Sequence, residues 1–439
     1  MFRRRNMENT ISDLKKTASR IIVEGGHPIC GELKLQGSKN AALPMLIASI
    51  LNKGITRLKN CPDIRDVHDI LHLLEEIGCK TEREKDSVII DATNLTTYEI
   101  SEELARKTRG SFVMLGALLS RKKRAKIPYP GGCPIGTRPV DIHLKALEKI
   151  GMELLGNADG KVADAVFKKK DNVTVRLSYP SVGATENCIF ASVLGEGRVV
   201  LKNCAREPEI EDLCLMLNSM GADISGVGTA VLCIKGVKKL HDVEWNVSGD
   251  RIVAGTYMVA ALISDGSITL RGVPIGQIKN EIDIFAKVGA AVTMWDDVLH
   301  VRRGRCGKKL SAAGDIITKP YPGFPTDMQS QIMSMLAFSD GRSIIKENIF
   351  ENRFMIVDEL VKMGADITVS GKKAIIQGTG RLCGAELIAK DLRGGAALVL
   401  AALGAEGSSL IGGCSHIKRG YENFVYNLKE LGASITESV

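Results

Sequence analysis

The sequence predicts an α/β protein assembled from six copies of one unit of about 70 residues, grouped as two pseudo-symmetric domains of three units each. Three observations carry that prediction. An apolar helical phrase closed by glycine recurs as Leu74-Glu-Glu-Ile-Gly78, Leu147-Glu-Lys-Ile-Gly151, Leu217-Asn-Ser-Met-Gly221, Phe285-Ala-Lys-Val-Gly289, Leu360-Val-Lys-Met-Gly364 and Leu428-Lys-Glu-Leu-Gly432. Each glycine stands where a helix ends in a left-handed cap, and strand-like sequence such as Ala365-Asp-Ile-Thr-Val follows. A second phrase keeps the same beat, among its copies Ala191-Ser-Val-Leu-Gly-Glu-Gly197, Ala260-Ala-Leu-Ile-Ser-Asp-Gly266 and Ala401-Ala-Leu-Gly-Ala-Glu-Gly407. Its small residues predict a closely packed, buried helix, and β-branched runs such as Ser267-Ile-Thr-Leu and Ser343-Ile-Ile come directly after it.

Residues 1–20 form a basic extension headed by Phe2-Arg-Arg-Arg5; no apolar stretch follows it, so it is not a signal peptide, and Met7 is an alternative start. With 439 residues, 44% hydrophobic and 25% charged, the chain has the composition of a soluble globular protein of two or three domains. The net charge of +8 suits an anionic small molecule. A nucleic-acid surface would call for a clustered basic stripe with interleaved aromatics, and aromatics make up only 4%. The 11 cysteines include no Cys-x-x-Cys pair, which predicts free thiols and no structural zinc. Runs such as Ala396–Ala405 are too short to span a membrane.

Within a repeat, the residues that break the pattern carry the chemistry. Lys39-Asn40 follows Gly37-Ser38 at a strand-to-helix turn, where an anion could sit on the helix N-terminus; a capped, solvated turn is the plain alternative. Arg109 precedes an apolar helix and reads equally as a snorkelling surface arginine. Pro130-Gly-Gly-Cys133-Pro-Ile-Gly-Thr-Arg138-Pro-Val-Asp141 sets a thiol, a guanidinium and a carboxylate in a glycine- and proline-rich loop. The upstream cations Arg121-Lys-Lys-Arg124 and Lys126 would lower the pKa of a nearby thiol. Asp327 starts a helix in Phe324-Pro-Thr-Asp-Met-Gln329, where an N-cap is its ordinary role. Arg353, Arg393 and Arg419 each follow a turn-like break in successive units, so together they could converge on phosphate or carboxylate.

Those phrases resemble the UDP-N-acetylglucosamine 1-carboxyvinyltransferases, members of the enolpyruvyl transferase family, from about Ile21 to the C-terminus. The resemblance rests on Gly37-Ser-Lys-Asn-Ala-Ala-Leu-Pro44, the Cys133 loop, Ser181-Val-Gly-Ala-Thr185, Ala205-Arg-Glu-Pro-Glu-Ile210, Phe324–Gln329, Phe350-Glu-Asn-Arg-Phe354, Asp391-Leu-Arg393 and Arg419-Gly-Tyr-Glu422. It implies an inverted α/β barrel in which residues 21–39 plus 249–439 form one domain and 40–248 the other, with the Cys133 loop as a lid. It implies transfer of the enolpyruvyl group of phosphoenolpyruvate to the 3'-hydroxyl of UDP-N-acetylglucosamine, by addition and then elimination of phosphate. That is the first committed step of peptidoglycan synthesis, carried out in the cytoplasm by a monomer without metal or organic cofactor, and the loop cysteine is the target of fosfomycin. By the same resemblance Cys133 is the proton donor and Asp327 the base. Lys39, Arg138 and Arg419 hold phosphate and developing charge. Asn40, Arg109, Arg353 and Arg393 contact substrates, and Arg138, Pro139, Val140, Asp141 and Ile142 with Ile349 bind the nucleotide sugar.

The chain departs from the family pattern in three places. Val253 stands for an acid in Ser248-Gly-Asp-Arg-Ile-Val-Ala-Gly-Thr256, Tyr129 stands for a leucine, and the basic extension is unusual. Two alternatives follow: an enolpyruvyl transferase acting on shikimate 3-phosphate, or an inactive or specialised paralogue that binds UDP-N-acetylglucosamine in a regulatory role.

Overall fold

The computed structural model describes residues 19–130, 135–136, 140–155, 161–304 and 309–438. The basic extension up to residue 18 and residues Cys133, Arg138 and Pro139 lie outside the described residues. All six glycines of the first phrase have left-handed φ, from +92° at Gly364 to +127° at Gly151, so each does end its helix as the spacing predicts. The helices they close are amphipathic and lie on the outside: Arg65–Glu76, Asp141–Ile150, Pro208–Ser219, Lys279–Lys287, Val357–Lys362 and Phe424–Glu430.

The second phrase gives the central helices. Lys39–Ala48, Met114–Lys122 and Val182–Val193 pack in one group, and Arg251–Ile263, Gln329–Ala337 and Leu392–Gly404 in another. Every residue of Arg251–Ile263 and of Gln329–Ala337 is buried. Small residues make that possible. At Gly116 a Cβ would stand 2.2 Å from the carbonyl oxygen of Asn187, and the Gly116 amide donates to Asn187 Oδ1 at 2.6 Å. Two helix backbones therefore touch, which no larger residue at that position permits.

Six sheets surround these helices, and five share one plan, an antiparallel trio whose first strand takes a parallel neighbour from outside the trio; the sixth, of Arg124–Pro128, Val162–Phe167 and Met152–Leu154, has the trio with only a single parallel bridge, Glu99 to Lys126. Two closures matter. Val243–Asn246 pairs in parallel with Ile55–Lys59, Val243 opposite Thr56, so the third unit returns to the first. In the other group, Cys30–Lys34 pairs in parallel with Ser267–Arg271. Arg20–Glu24 lies antiparallel between Ser408–Gly412 and Ser434–Ser438, with Ile22 opposite both Leu410 and Thr436. The N-terminal strands thus complete sheets whose other strands come from the C-terminal half. The buried apolar residues form two clusters, one from residues 41–247 and one from residues 21–35 with 252–435; we call them the first and second lobe.

The two crossings between lobes run side by side. Gly37 bridges Gly249, the Ser38 amide donates to the Ser248 carbonyl at 2.7 Å, and the Asp250 amide donates to the Gln36 carbonyl at 3.1 Å. A Cβ on Gly37 would lie 1.8 Å from the Asn60 carbonyl oxygen, and one on Gly249 1.9 Å from that of Gly272. Glycine is required on both strands of the crossing because each is pressed against a neighbouring backbone.

Candidate active site

The crossing delivers Lys39 and Asp250 to the cleft between lobes. Ser38 caps the helix Lys39–Ala48, accepting from the Ala41 amide at 3.3 Å, and the Lys39 amide donates to Asp250 Oδ2 at 3.1 Å. The first-turn amide is therefore already bound by a carboxylate, and an anion at this turn meets the lysine side chain instead. Lys39 Nζ lies 2.6 Å from Asp66 Oδ2, with side chains 11% and 3% exposed. Arg419 approaches the same carboxylate from the second lobe, Nε to Oδ1 at 2.9 Å and Nη2 to Oδ2 at 3.2 Å. Burial pushes the Lys39 ammonium below the usual lysine range; Asp66 opposes the shift, and Arg393 and Arg419 reinforce it. Burial alone would raise Asp66, but Lys39 and Arg419 outweigh it and hold the carboxyl low.

A second carboxylate sits beside this one. Asp327 lies in the 3-10 turn Thr326–Met328 ahead of the helix Gln329–Ala337, and its side chain caps nothing. It is gripped instead by Arg353 Nη2 at 3.0 Å and Arg393 Nη2 at 3.0 Å, one on each oxygen. Both arginine side chains are 3% exposed, while Asp327 remains 28% exposed. Burial works against the carboxylate, but Arg393, Arg353 and Lys39 outweigh it and keep Asp327 well below the usual range. Arg353 Nε and Arg393 Nε and Nη1 are buried with no hydrogen-bond partner. Buried donors without acceptors are costly, and an anion entering beside Asp327 would satisfy them.

The candidate residues divide accordingly. Lys39, Asp327, Arg353, Arg393 and Arg419 converge, the arginines meeting the protein's own Asp66 and Asp327. Asn40 is half-buried beside Lys39. Arg109 opens the 3-10 turn Arg109–Val113, its side chain outside the described residues. Val140 and Ile142 are half-buried, while exposed Asp141 begins the helix Asp141–Ile150 and pairs with Lys145 at 3.2 Å. Ile349 is half-buried, its amide donating to Glu347 Oε1 at 2.8 Å. Of the Cys133 loop, Ile135 and Gly136 are described, both buried, and the Asn352 amide of the second lobe donates to the Ile135 carbonyl at 3.1 Å. The basic run expected to act on the thiol has partners of its own. Arg121 and Lys122 bond carbonyls at Ala92, Thr93 and Leu95, Lys123 that of Ser120, Arg124 pairs with Asp164 and Lys126 with Glu99.

Asp66, Asp250 and Glu347 escaped the sequence reasoning. For Asp66 a signal existed: it shares the buried face of Arg65–Glu76 with Val67, Ile70, Leu71, Leu73 and Leu74, and an acid on an apolar stripe needs a partner. Among the described residues, no group of His, Cys, Asp and Glu could hold a metal ion, and no helix is long and apolar enough to cross a membrane.

The site's side chains converge between two lobes, each built on three central helices and three sheets. The crystal structure of the enolpyruvyl transferase NikO from Streptomyces tendae superposes with a TM-score of 0.86 at 23% identity, over 96% of this chain and 99% of that one, which gives the fold as the inverted α/β barrel. Residues 23–428 match the EPSP synthase (3-phosphoshikimate 1-carboxyvinyltransferase) family. UDP-N-acetylglucosamine 1-carboxyvinyltransferase 2 of Caldanaerobacter subterraneus subsp. tengcongensis is 45% identical over 94% of this chain and 98% of its own. UDP-N-acetylglucosamine 1-carboxyvinyltransferase of Desulfosudis oleivorans is 42% identical over 95% and 98%. The chain belongs to the EPSP synthase family of 1-carboxyvinyltransferases, on the branch of the UDP-N-acetylglucosamine enzymes.

Proposed function

We propose that this protein transfers the enolpyruvyl group of phosphoenolpyruvate to the 3'-hydroxyl of UDP-N-acetylglucosamine, with release of phosphate. Near-full-length identity of 45% to an enzyme so named supports the substrates. The observation that carries the chemistry is the pair of buried arginines with unpartnered donors around Asp327. Phosphoenolpyruvate brings a carboxylate and a phosphate, and those donors together with Lys39 and Arg419 are suited to hold both and to stabilise charge that develops on addition.

Addition needs a proton delivered to the methylene carbon and one removed from the sugar hydroxyl. Cys133 is the donor in this reading and Asp327 the acceptor. Gripped by two arginines, Asp327 is a weak base. An anionic substrate that draws on Arg353 and Arg393 loosens that grip, so basicity rises as the site fills. In elimination the new methyl group gives a proton back to the Cys133 thiolate as the bond between carbon and the phosphate oxygen breaks, and phosphate leaves towards Lys39 and Arg419 with the proton that Asp327 took from the hydroxyl. The two lobes act as domains, residues 21–39 with 249–439 and residues 40–248, and close over the substrates with the Cys133 loop as lid. Lid closure would exclude water from the site. The reaction on two soluble substrates fits a cytoplasmic monomer with no metal or cofactor.

Phosphate release from phosphoenolpyruvate tests this reading, measured with and without UDP-N-acetylglucosamine and after fosfomycin. Release that requires the nucleotide sugar and stops with the drug supports it. Release with shikimate 3-phosphate, or binding of the nucleotide sugar without release, replaces it with one of the alternatives.

A further inference from the structure

We propose that Tyr421 is a positioning residue whose ring sets the plane in which Arg393 offers its unpartnered donors to phosphoenolpyruvate. The guanidinium carbon of Arg393 lies over the Tyr421 ring, 5.3 Å from its centre, and both residues are buried. A desolvated guanidinium against an aromatic face is the strong form of the cation–π contact. Asp327 Oδ2 accepts from Arg393 Nη2 at 3.0 Å, while Nε and Nη1 have no hydrogen-bond partner among the described residues. A hydrogen bond at one corner leaves a flat group free to turn about that corner. A ring against its face removes that freedom and aims the remaining donors.

The ring is itself fixed from several directions. Thr256 Oγ1 already donates to the Ile252 carbonyl at 2.7 Å, so the Tyr421 hydroxyl donates to Thr256 Oγ1 at 3.0 Å. The same hydroxyl accepts from Gln331 Nε2 at 3.2 Å, and Gln331 Nε2 also donates to the Asp327 carbonyl at 2.9 Å. Phe424 packs against the ring with centroids 4.9 Å apart. Gln36, at the crossing between the lobes, brackets Tyr421 along the chain: its Nε2 donates to the Gly420 carbonyl at 3.1 Å and its Oε1 accepts from the Glu422 amide at 2.7 Å. A Cβ on Gly420 would lie 2.9 Å from Leu392 Cδ2, so this segment is pressed against the residue before Arg393. The segment begins with Arg419, which meets Asp66. Tyr421 thus ties the stretch carrying Arg419 to the arginine over Asp327, without a need to touch substrate itself. The inference rests on the enolpyruvyl transfer proposed above.

The test uses the full chain, with calorimetric affinity for phosphoenolpyruvate, steady-state phosphate release and the urea midpoint. Tyr421→Leu removes the ring, so affinity and kcat/KM for phosphoenolpyruvate should each fall about 30-fold, while KM for UDP-N-acetylglucosamine stays within about threefold. Tyr421→Phe keeps the ring, and both Gln331 amide hydrogens retain acceptors at the Asp327 carbonyl and Thr256 Oγ1. It should stay within about fivefold of the parent for both substrates. In an Arg393→Lys background the planar group is already gone, and Tyr421→Leu should add less than about threefold to the loss. A merely structural role weakens both substrates together, in step with the urea midpoint and regardless of the residue at 393. Parent-like phosphoenolpyruvate affinity in Tyr421→Leu, equal losses in Tyr421→Phe and Tyr421→Leu, or a full further loss in the Arg393→Lys background would overturn the proposal. If Tyr421→Leu does not fold, Tyr421→Met, which fills the space without an aromatic face, takes its place with the same expectations. A parent protein that binds phosphoenolpyruvate without releasing phosphate overturns the proposed reaction alone, and the affinities still decide on Tyr421. A parent that does not bind it overturns both.

Discussion

Replacing Asp66 by asparagine removes one negative charge from between two cations and changes almost no volume. In the parent, Asp66 Oδ2 lies 2.6 Å from Lys39 Nζ and 3.2 Å from Arg419 Nη2, in a pocket that leaves the carboxylate 3% exposed. Removing one partner of a fully buried ion pair costs about 3–5 kcal/mol, because the other charge stays buried and unpaired. Asparagine retains one oxygen that can accept from Arg419, so the loss should be smaller, about 2–3 kcal/mol, or roughly 30- to 150-fold in kcat/KM for phosphoenolpyruvate. The pH profile separates this account from simple damage. Lys39 is already held low by burial, with Arg393 and Arg419 adding to the effect, and Asp66 is the charge that pushes it back up. Without Asp66 the ammonium loses its proton at lower pH. Since the protonated form grips phosphate, the alkaline limb of kcat/KM should move towards neutrality. Phosphate release measured from pH 6 to 10 gives both quantities. An unshifted alkaline limb, or a loss below about threefold, would refute the idea that Asp66 sustains the charge on Lys39.

Three further outcomes follow from the geometry. Glu186 is buried, and burial, then Glu209 and Glu207, push its carboxyl from 4.5 up to about 8. The folded state then holds a proton that the unfolded chain releases near 4.5, so this contribution to stability is complete below that pH and is lost progressively up to about 8. Its upper bound is on the order of 5 kcal/mol, and Glu186→Gln should flatten the slope of urea-unfolding stability across that window; an unchanged slope would remove Glu186 as its source. Two equivalent helix-capping glycines should respond differently to alanine. At Gly364 nothing lies within 4 Å, so only the left-handed φ is penalised, about 1 kcal/mol, whereas at Gly151 the Cβ meets the Lys168 carbonyl at 2.0 Å and calorimetry should show a loss of about 3 kcal/mol or more. Val253 is 2% exposed and lines a cavity of about 230 Å³ with Gln36, Asn60, Glu422 and Asn427, apart from both carboxylate clusters. Val253→Glu should therefore leave kcat within about threefold, and a larger gain would show that a carboxylate at the crossing is needed for activity.

How much of this was legible in the sequence depends on how far apart the interacting residues lie. A helix cap is a local event, so the spacing of glycines identified the repeat, and all six have the φ that role requires. The buried central helices were equally local, since Ala- and Gly-rich runs can pack only where backbones touch, as Gly116 does against Asn187. Lys39, Asp327, Arg353 and Arg393 stood out because each interrupts an otherwise repeating pattern, and the fold brings all four to one cleft. The partners of those residues were not visible. Asp66 meets Arg419 across 353 positions and Asp250 meets the Lys39 amide across 211, and no period in the chain links such distant residues. Glu347 reads locally as an ordinary surface acid at a strand end, and the apolar stripe around Asp66 calls for a partner without naming it. Only the closing of two lobes around the paired crossing at Gly37 and Gly249 turns them into buried acceptors. The basic run upstream of Cys133 shows the same limit. Arg121 to Lys126 is a dense basic run in sequence, but strand and helix geometry sends its members to separate carbonyls and carboxylates, among them Ala92, Leu95, Asp164 and Glu99. Charge density along a chain becomes a local field only where the fold aims the side chains together, as it does around Asp327.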